Sequence, residues 1–303
     1  MGAVDRSLAA LSLRLSATLG GTFEPHPSVR VHGGCINDSF RWESSNGPLF
    51  VKIASAAQLQ MLEAEAEGLS ELDAANAVRV PTVLGIGAAE NGSFLALEWI
   101  ELGPAAAEDQ ARLGTQLAHQ HRVLASQFGW GRNNTIGSTE QVNTWSDYWA
   151  PFFREHRLRF QLDLAQRNGH GGRLQESGNR LLERMDELLG DHRPAPSLLH
   201  GDLWGGNVAA DPSGAPVIFD PAVYFGDREA DLAMTRLFGG FSREFYAAYE
   251  EAWPLPPAAS GRVDLYNLYH VLNHLNLFGA GYLGQAQGII DRLLARRGGS
   301  NGK

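Results

Sequence analysis

The sequence predicts an α+β fold of two lobes. Residues 1–100 form a small N-terminal lobe with an antiparallel sheet and a helix, and residues 101–303 a larger, mostly helical lobe. Three observations predict this. Short apolar segments bounded by turn residues crowd into the first hundred positions. Gly103-Pro104 ends the last of them, and beyond it apolar residues recur at helical spacing.

The opening "MGAVDRSLAALSLRLSATLGG" carries Leu8, Leu11, Leu15 and Leu19 at helical spacing and is interrupted by Asp5 and Arg14. It reads as a soluble amphipathic helix rather than a signal peptide, and Arg6 stands where a myristoylation pattern needs Ser or Thr. "SVRVHGG" and "DSFRWESS" read as two strands around a glycine turn, Gly33 to Asn37. "PLFVKIA" is a third strand carrying Lys52, "AQLQMLEAEAEGLSELDAA" a strong helix, and "SFLALEWIEL" a further strand. "DQARLGTQLAHQHRVL", "SDYWAPFFREHRLRFQLDLAQ" and "GGRLQESGNRLLERMDELLG" then read as helices. So do "DREADLAMTRLF", "REFYAAYEEAW" and "GRVDLYNLYHVLNHLNLF".

Composition excludes several classes. The chain has 303 residues, 44% of them hydrophobic, which supports a sizeable core. A net charge of −9 leaves no basic excess for nucleic acid and mildly favours a cationic substrate. A single cysteine, Cys35, cannot form an internal disulfide and fits a reducing, cytoplasmic setting. No apolar run approaches the roughly 18 residues that a membrane span needs.

The chemistry concentrates in "LLHGDLWGGNVAA" and "VIFDPA". An Asp in a tight loop, Asp202, can accept a proton from a substrate hydroxyl. An Asn five residues on, Asn207, can return to the same site and offer its carbonyl oxygen to Mg²⁺. A carboxylate at the end of a nearby strand, Asp220, can hold the metal that bridges phosphates. ATP phosphates also need a cation on a strand, fixed by a carboxylate on a helix. Lys52 meets the first demand, and Glu63, Glu65 or Glu67 the second. Glu65 is preferred, because it sits one helical turn before Leu69. The turn "GGCIND" precedes the lysine and offers backbone amides of Gly33, Gly34, Cys35 and Asn37 to the phosphates.

In that order the motifs resemble the aminoglycoside-phosphotransferase and choline-kinase-like branch of the protein-kinase fold. More narrowly, "HGDLWGGN", "FDPAVYFGDREADLAM", "LFGGF", "LYHVLNHLNLFG" and "FGWGRNNTIGSTEQVNTWSDYW" resemble the fructosamine (ketosamine-3) kinase family. The resemblance implies a two-lobed kinase-like fold with its active site between the lobes. It also implies an ATP- and Mg²⁺-dependent kinase acting on the 3-hydroxyl of a ketosamine, whether a small molecule or a glycated protein lysine. Phosphorylation makes the adduct labile and so repairs the glycated amine. By the resemblance, Asp202 is the base, Asn207 and Asp220 hold metal, Lys52 with Glu65 positions phosphates, and backbone at Glu98, Trp99 and Ile100 meets adenine. Ribulosamine, erythrulosamine and fructosamine remain open as substrates. Another alcohol kinase of the same fold, or a non-catalytic nucleotide-binding pseudokinase, is the rival reading.

Other residues have competing readings. Cys35 is either a buried filler or a redox-sensitive thiol able to link two otherwise monomeric chains. His270 and His274 have i, i+4 spacing, but Val271 stands where a zincin has Glu. With Asn273 they read as an acceptor-pocket wall or a satisfied core pair. Trp204 is an aromatic wall against the sugar or a packing residue, and Arg228 and Glu229 meet substrate or tie loops together. Asp231 is expected to hold the catalytic loop by its backbone. His200 is a support residue, and His121 a structural one. Gly205-Gly206 is expected to make the loop conformationally free.

Overall fold

Both faces of the N-terminal sheet are apolar because a helix covers each. A computed structural model of the chain describes residues 3–31, 38–89 and 92–296. Helix α1 (Ala3–Leu19) precedes strands β1 (Val29–Val31), β2 (Asp38–Trp42) and β3 (Leu49–Ala54). Helix α2 (Leu59–Ala74) and strands β4 (Val83–Ala89) and β5 (Gly92–Glu98) follow. The strands pair antiparallel in the order β1-β2-β3-β5-β4. Alternation along β5 sends Phe94 and Ala96 to the α1 side with Leu11 and Leu15. It sends Leu95 and Leu97 to the α2 side with Leu62 and Leu69. The same alternation along β3 puts Phe50 and Ala54 against the α2 core, and Lys52 shares their face.

Strand β4 has no counterpart in the sequence reading. Its "VLGIGAA" carries two glycines and two alanines, which dilute the β-branched signal.

The second lobe contains α3 (Ala107–Gln120), a hairpin β6 (Asn134–Ile136) and β7 (Thr139–Gln141), α4 (Trp149–Phe153), α5 (Phe160–Arg167), α6 (Arg173–Glu183) and α7 (Met185–Leu189). The helix expected from "SDYWAPFFREHRLRFQLDLAQ" is interrupted by a π-helical segment, Arg154–Arg159. There Arg157 is fully buried, donating to Val142 O and Asn143 Oδ1 and lying over the Tyr224 ring. The single helix expected from "GGRLQESGNRLLERMDELLG" breaks at Arg184, whose ψ of 9° leaves the helical region. Strands β8 (Ser197–Leu199), β9 (Val208–Ala210), β10 (Pro216–Ile218) and β11 (Tyr224–Gly226) pair as β8-β11 and β9-β10. Helices α8 (Arg228–Leu237), α9 (Arg243–Ala252), α10 (Val263–Phe278) and α11 (Leu283–Ala295) complete the fold. Among the described residues no helix is long and apolar enough to cross a membrane.

Candidate active site

Two short antiparallel pairs frame the "HGDLWGGN" loop. Asp202 lies between β8 and β9, and Asp220 follows β10. Gly201 is required in the loop. Its φ is +83°, and a Cβ there would lie 2.0 Å from Ala222 O. His200 and Gly201 donate their backbone N–H groups to the two oxygens of Asp231 at 2.7 and 2.9 Å. Asp231 also meets His121 Nε2 at 3.2 Å, and His121 Nδ1 meets Tyr249 Oη at 2.8 Å. Burial opposes the Asp231 charge, but these donors outweigh it and hold the carboxyl below its ordinary value. His200 accepts the Asp202 N–H on Nδ1, which leaves Nε2–H to donate to Phe219 O at 3.0 Å. Burial pushes the His200 ring down, so it stays neutral.

Asn207 is the junction of the site. Its Nδ2 donates to Asp202 O at 2.9 Å and reaches Asp220 O at 3.4 Å. The amide oxygen therefore points away from those partners. Asp220 has φ of 55°, in the left-handed region, a strained setting for a non-glycine residue. Its Oδ1 meets Lys52 Nζ at 2.5 Å, and Lys52 Nζ also meets Glu65 Oε1 at 2.6 Å. Burial opposes the lysine charge, but Asp220 and Glu65 hold the ammonium above its ordinary value. Burial raises Glu65. Of the three candidate glutamates only Glu65 reaches Lys52; Glu63 and Glu67 pair with Arg132 at 3.5 and 2.6 Å.

Asp202 is pushed up to about 7 by burial and by the negative charges of Asp220 and Asp231. That is the range in which a carboxylate both accepts a proton readily and is substantially ionised at neutral pH. Asp220, Asn207 and Asp202 together offer hard oxygen donors, a set that suits Mg²⁺.

The connection after β5 begins at Glu98. Glu98 N–H donates to Thr82 O at 2.9 Å and its carboxylate engages Arg79 at 2.6 Å. Among the described residues, no backbone hydrogen bond falls on Trp99 or Ile100. The Trp99 ring lies under Arg41. Gly33, Gly34, Cys35 and Asn37 lie outside the described residues.

Several candidates sit elsewhere. Arg228 is not at the Asp202 cluster: it donates to Trp253 O at 2.8 Å and Pro254 O at 2.6 Å and stacks on Trp253. Glu229 forms a bidentate pair with Arg262 at 2.6 and 2.7 Å. Both line a separate cavity of about 830 Å³ with His192 and Asp227. Asn273 is a core residue, accepting from Gln161 and donating towards Ile136 O. His270 is buried, pushed down to about 3 chiefly by burial, and its Nδ1 has no partner among the described residues. His274 Nδ1 donates to His270 O at 2.8 Å.

Gly205-Gly206 proves to be about space rather than freedom. Neither has a positive φ. A Cβ on Gly206 would lie 2.2 Å from the Trp204 ring, and one on Gly205 would lie 3.1 Å from Gly239 O. Trp204 meets Phe238 edge to face, 6.3 Å between centroids. Tyr249, Arg132 and Phe238 were not singled out from the sequence. Phe238 lies in the "LFGGF" motif and Arg132 in "FGWGRNNTIGSTEQVNTWSDYW", while Tyr249 falls in no such motif.

Comparison with known proteins shows the family. The family model described as fructosamine kinase matches residues 8–296. A Synechocystis protein named a probable ketoamine kinase is 45% identical over 94% of this chain and 96% of its own length. A chloroplastic protein-ribulosamine 3-kinase of Oryza sativa subsp. indica is 43% identical over 87% of this chain and 78% of its own. The crystal structure of a candidate fructosamine-3-kinase from Thermobifida fusca, 32% identical, covers 95% of this chain and 99% of its own with a TM-score of 0.84. With the family model matched over residues 8–296 and a relative 45% identical covered almost end to end, the chain belongs to the fructosamine kinase family.

Proposed function

We propose that the protein is an ATP-dependent ketosamine 3-kinase, which phosphorylates the 3-hydroxyl of a sugar-derived ketoamine and so labilises the adduct. The observation that carries this reading is the Lys52 ammonium held between Glu65 and Asp220, with Asn207 tying the Asp220 and Asp202 backbones together. Relatives at 43–45% identity are named for ketoamine or ribulosamine phosphorylation.

In this reading Asp202 accepts the proton of the 3-hydroxyl as that oxygen attacks the γ-phosphorus, and the bond from that phosphorus to the β,γ-bridging oxygen breaks to release ADP. Its raised basicity matches the task. Lys52 holds phosphate oxygens, and Glu65 fixes the lysine from α2. Backbone of Trp99 and Ile100 has donors and acceptors to offer adenine. Asp220 and the Asn207 amide oxygen would hold Mg²⁺, which neutralises phosphate charge when bound. Asp231 keeps the loop in place by holding His200 and Gly201 N–H.

The test is ADP release with Mg-ATP and ribulose-lysine, fructose-lysine, choline, homoserine or kanamycin as acceptor. Turnover on a ketoamine is expected. Turnover confined to another alcohol would overturn the substrate class.

A further inference from the structure

A cavity of about 680 Å³ opens between α2 and the second lobe, and Lys52, Asp202 and Asp220 do not line it. Three aromatic rings do: Trp130, Trp145 and Phe225. The Trp145 and Phe225 centroids are 6.3 Å apart, and Trp145 is 42% exposed while Trp130 and Phe225 are buried. Helix α2 supplies Ala66 and Ser70, one turn apart, and Glu71. Helical phase turns Ser70 and Glu71 away from the side of α2 that carries Glu65 to Lys52. The guanidinium at this cavity, Arg132, is already engaged by Glu67 at 2.6 Å, Glu63 at 3.5 Å and Gln60 O at 3.2 Å. The Glu71 carboxylate, in contrast, has no hydrogen bond or ion pair among the described residues. The cavity therefore presents aromatic faces and an uncompensated negative charge.

We propose that this cavity is a regulatory binding site for a small alkylammonium ion, whose occupation braces α2. Aromatic faces attract an ammonium through the ring quadrupole, and Trp does so most strongly. Glu71 supplies the counter-charge, and the alkyl chain gains by covering Ala66 and the rings. An anion would be repelled by Glu71, and a neutral ligand of the same shape would forgo both attractions. The ion would touch α2 and residues of the second lobe together, adding to the clamp that Arg132 already makes between them. It therefore favours the arrangement in which Glu65 holds Lys52. That consequence for nucleotide rests on the kinase reading above, whereas the binding site itself does not.

Calorimetric titration with n-butylammonium, and with 1-butanol as its uncharged match, tests the site directly. Wild type is compared with Glu71→Gln and Trp145→Ala. Wild type should bind n-butylammonium about tenfold more tightly than 1-butanol, and each variant should raise the n-butylammonium Kd about three- to tenfold. Saturating n-butylammonium should also lower the Kd of Mg-AMP-PNP, a non-hydrolysable ATP analogue, about fivefold in wild type and not in Glu71→Gln. Absence of n-butylammonium binding would overturn the proposal, as would equal affinity for 1-butanol. Binding that neither variant weakens would place the ion elsewhere, the acceptor cleft included, and overturn it too. An Mg-AMP-PNP affinity that n-butylammonium leaves unmoved would overturn the brace on α2. Failure of the kinase reading would be seen separately, as no Mg-AMP-PNP binding in the absence of the amine, and the n-butylammonium titration would still decide the site.

Discussion

Lys52 and Asp220, 168 residues apart in sequence, meet at 2.5 Å and join the N-terminal sheet to the loop after β10. The lysine is buried and shares its charge between Asp220 and Glu65. Lys52→Ala should lower kcat/KM by about 10²–10³-fold, the usual loss of a preorganised donor at a charge-developing site. Glu65→Gln should lower it less. Glu67→Gln, which disturbs only the exposed pair with Arg132, should stay within a few-fold of wild type. Steady-state kinetics on the three variants checks the ranking.

The Tyr249–His121–Asp231 chain makes a separate prediction. His121→Ala removes a donor from a buried carboxylate that also holds the catalytic loop. The cost should be about 1–3 kcal/mol of stability, measured by urea unfolding, with a parallel loss of kcat. Tyr249→Phe should cost less, because it leaves the His121–Asp231 contact in place. Asp231 is held below its ordinary value of 3.8 in the folded state. Its contribution to stability is therefore fully present above that value and is lost as pH falls through the lowered one.

Gly206 and Trp204 should behave as a coupled pair. Gly206→Ala puts a methyl group into the space of the Trp204 ring and should reduce activity by displacing it. In Gly206→Ala/Trp204→Ala the clash is gone, so the glycine substitution should cost much less in that background than in wild type. A double-mutant cycle in kcat/KM measures the coupling.

The raised Asp202 sets the pH dependence. In the proposed mechanism protonation removes the base, so activity should rise with pH through about 7 rather than through the ordinary carboxylate range. Higher Mg²⁺ should move this limb to lower pH, because a cation beside Asp220 offsets one of the charges that raises it. A pH profile of kcat/KM at two Mg²⁺ concentrations checks both the position and the direction.

Much of this site was legible in the sequence because its chemistry fixes residue type and order. "HGDLWGGN", Lys52 and Asp220 stand in the sequence in the order that phosphoryl transfer needs, and the structure gathers them. Glu65 stood apart from Glu63 and Glu67 through helical phase, since the α2 face that buries Leu62 and Leu69 also turns Glu65 towards β3. Arg228, Glu229 and Asn273 were less legible, because a charged or amide side chain near a motif looks the same whether it meets substrate or bonds to a distant carbonyl. Only tertiary packing assigns Arg228 to Trp253 and Glu229 to Arg262. The π segment around Arg157 and the strand β4 escaped for a similar reason: neither has a local signal strong enough to override its composition.

The most direct measurement is single-turnover kinetics of wild type and Asp202→Asn on ribulose-lysine with Mg-ATP, with the phosphorylated position read by NMR. Asn207, Asp220 and Lys52 remain in the variant, so nucleotide binding should persist. The chemical step should slow by about 10²–10⁴-fold, and the wild-type product should carry phosphate on the 3-oxygen. An Asp202→Asn variant that transfers phosphate as fast as wild type, or a wild-type product phosphorylated elsewhere, would contradict the mechanism derived from this site.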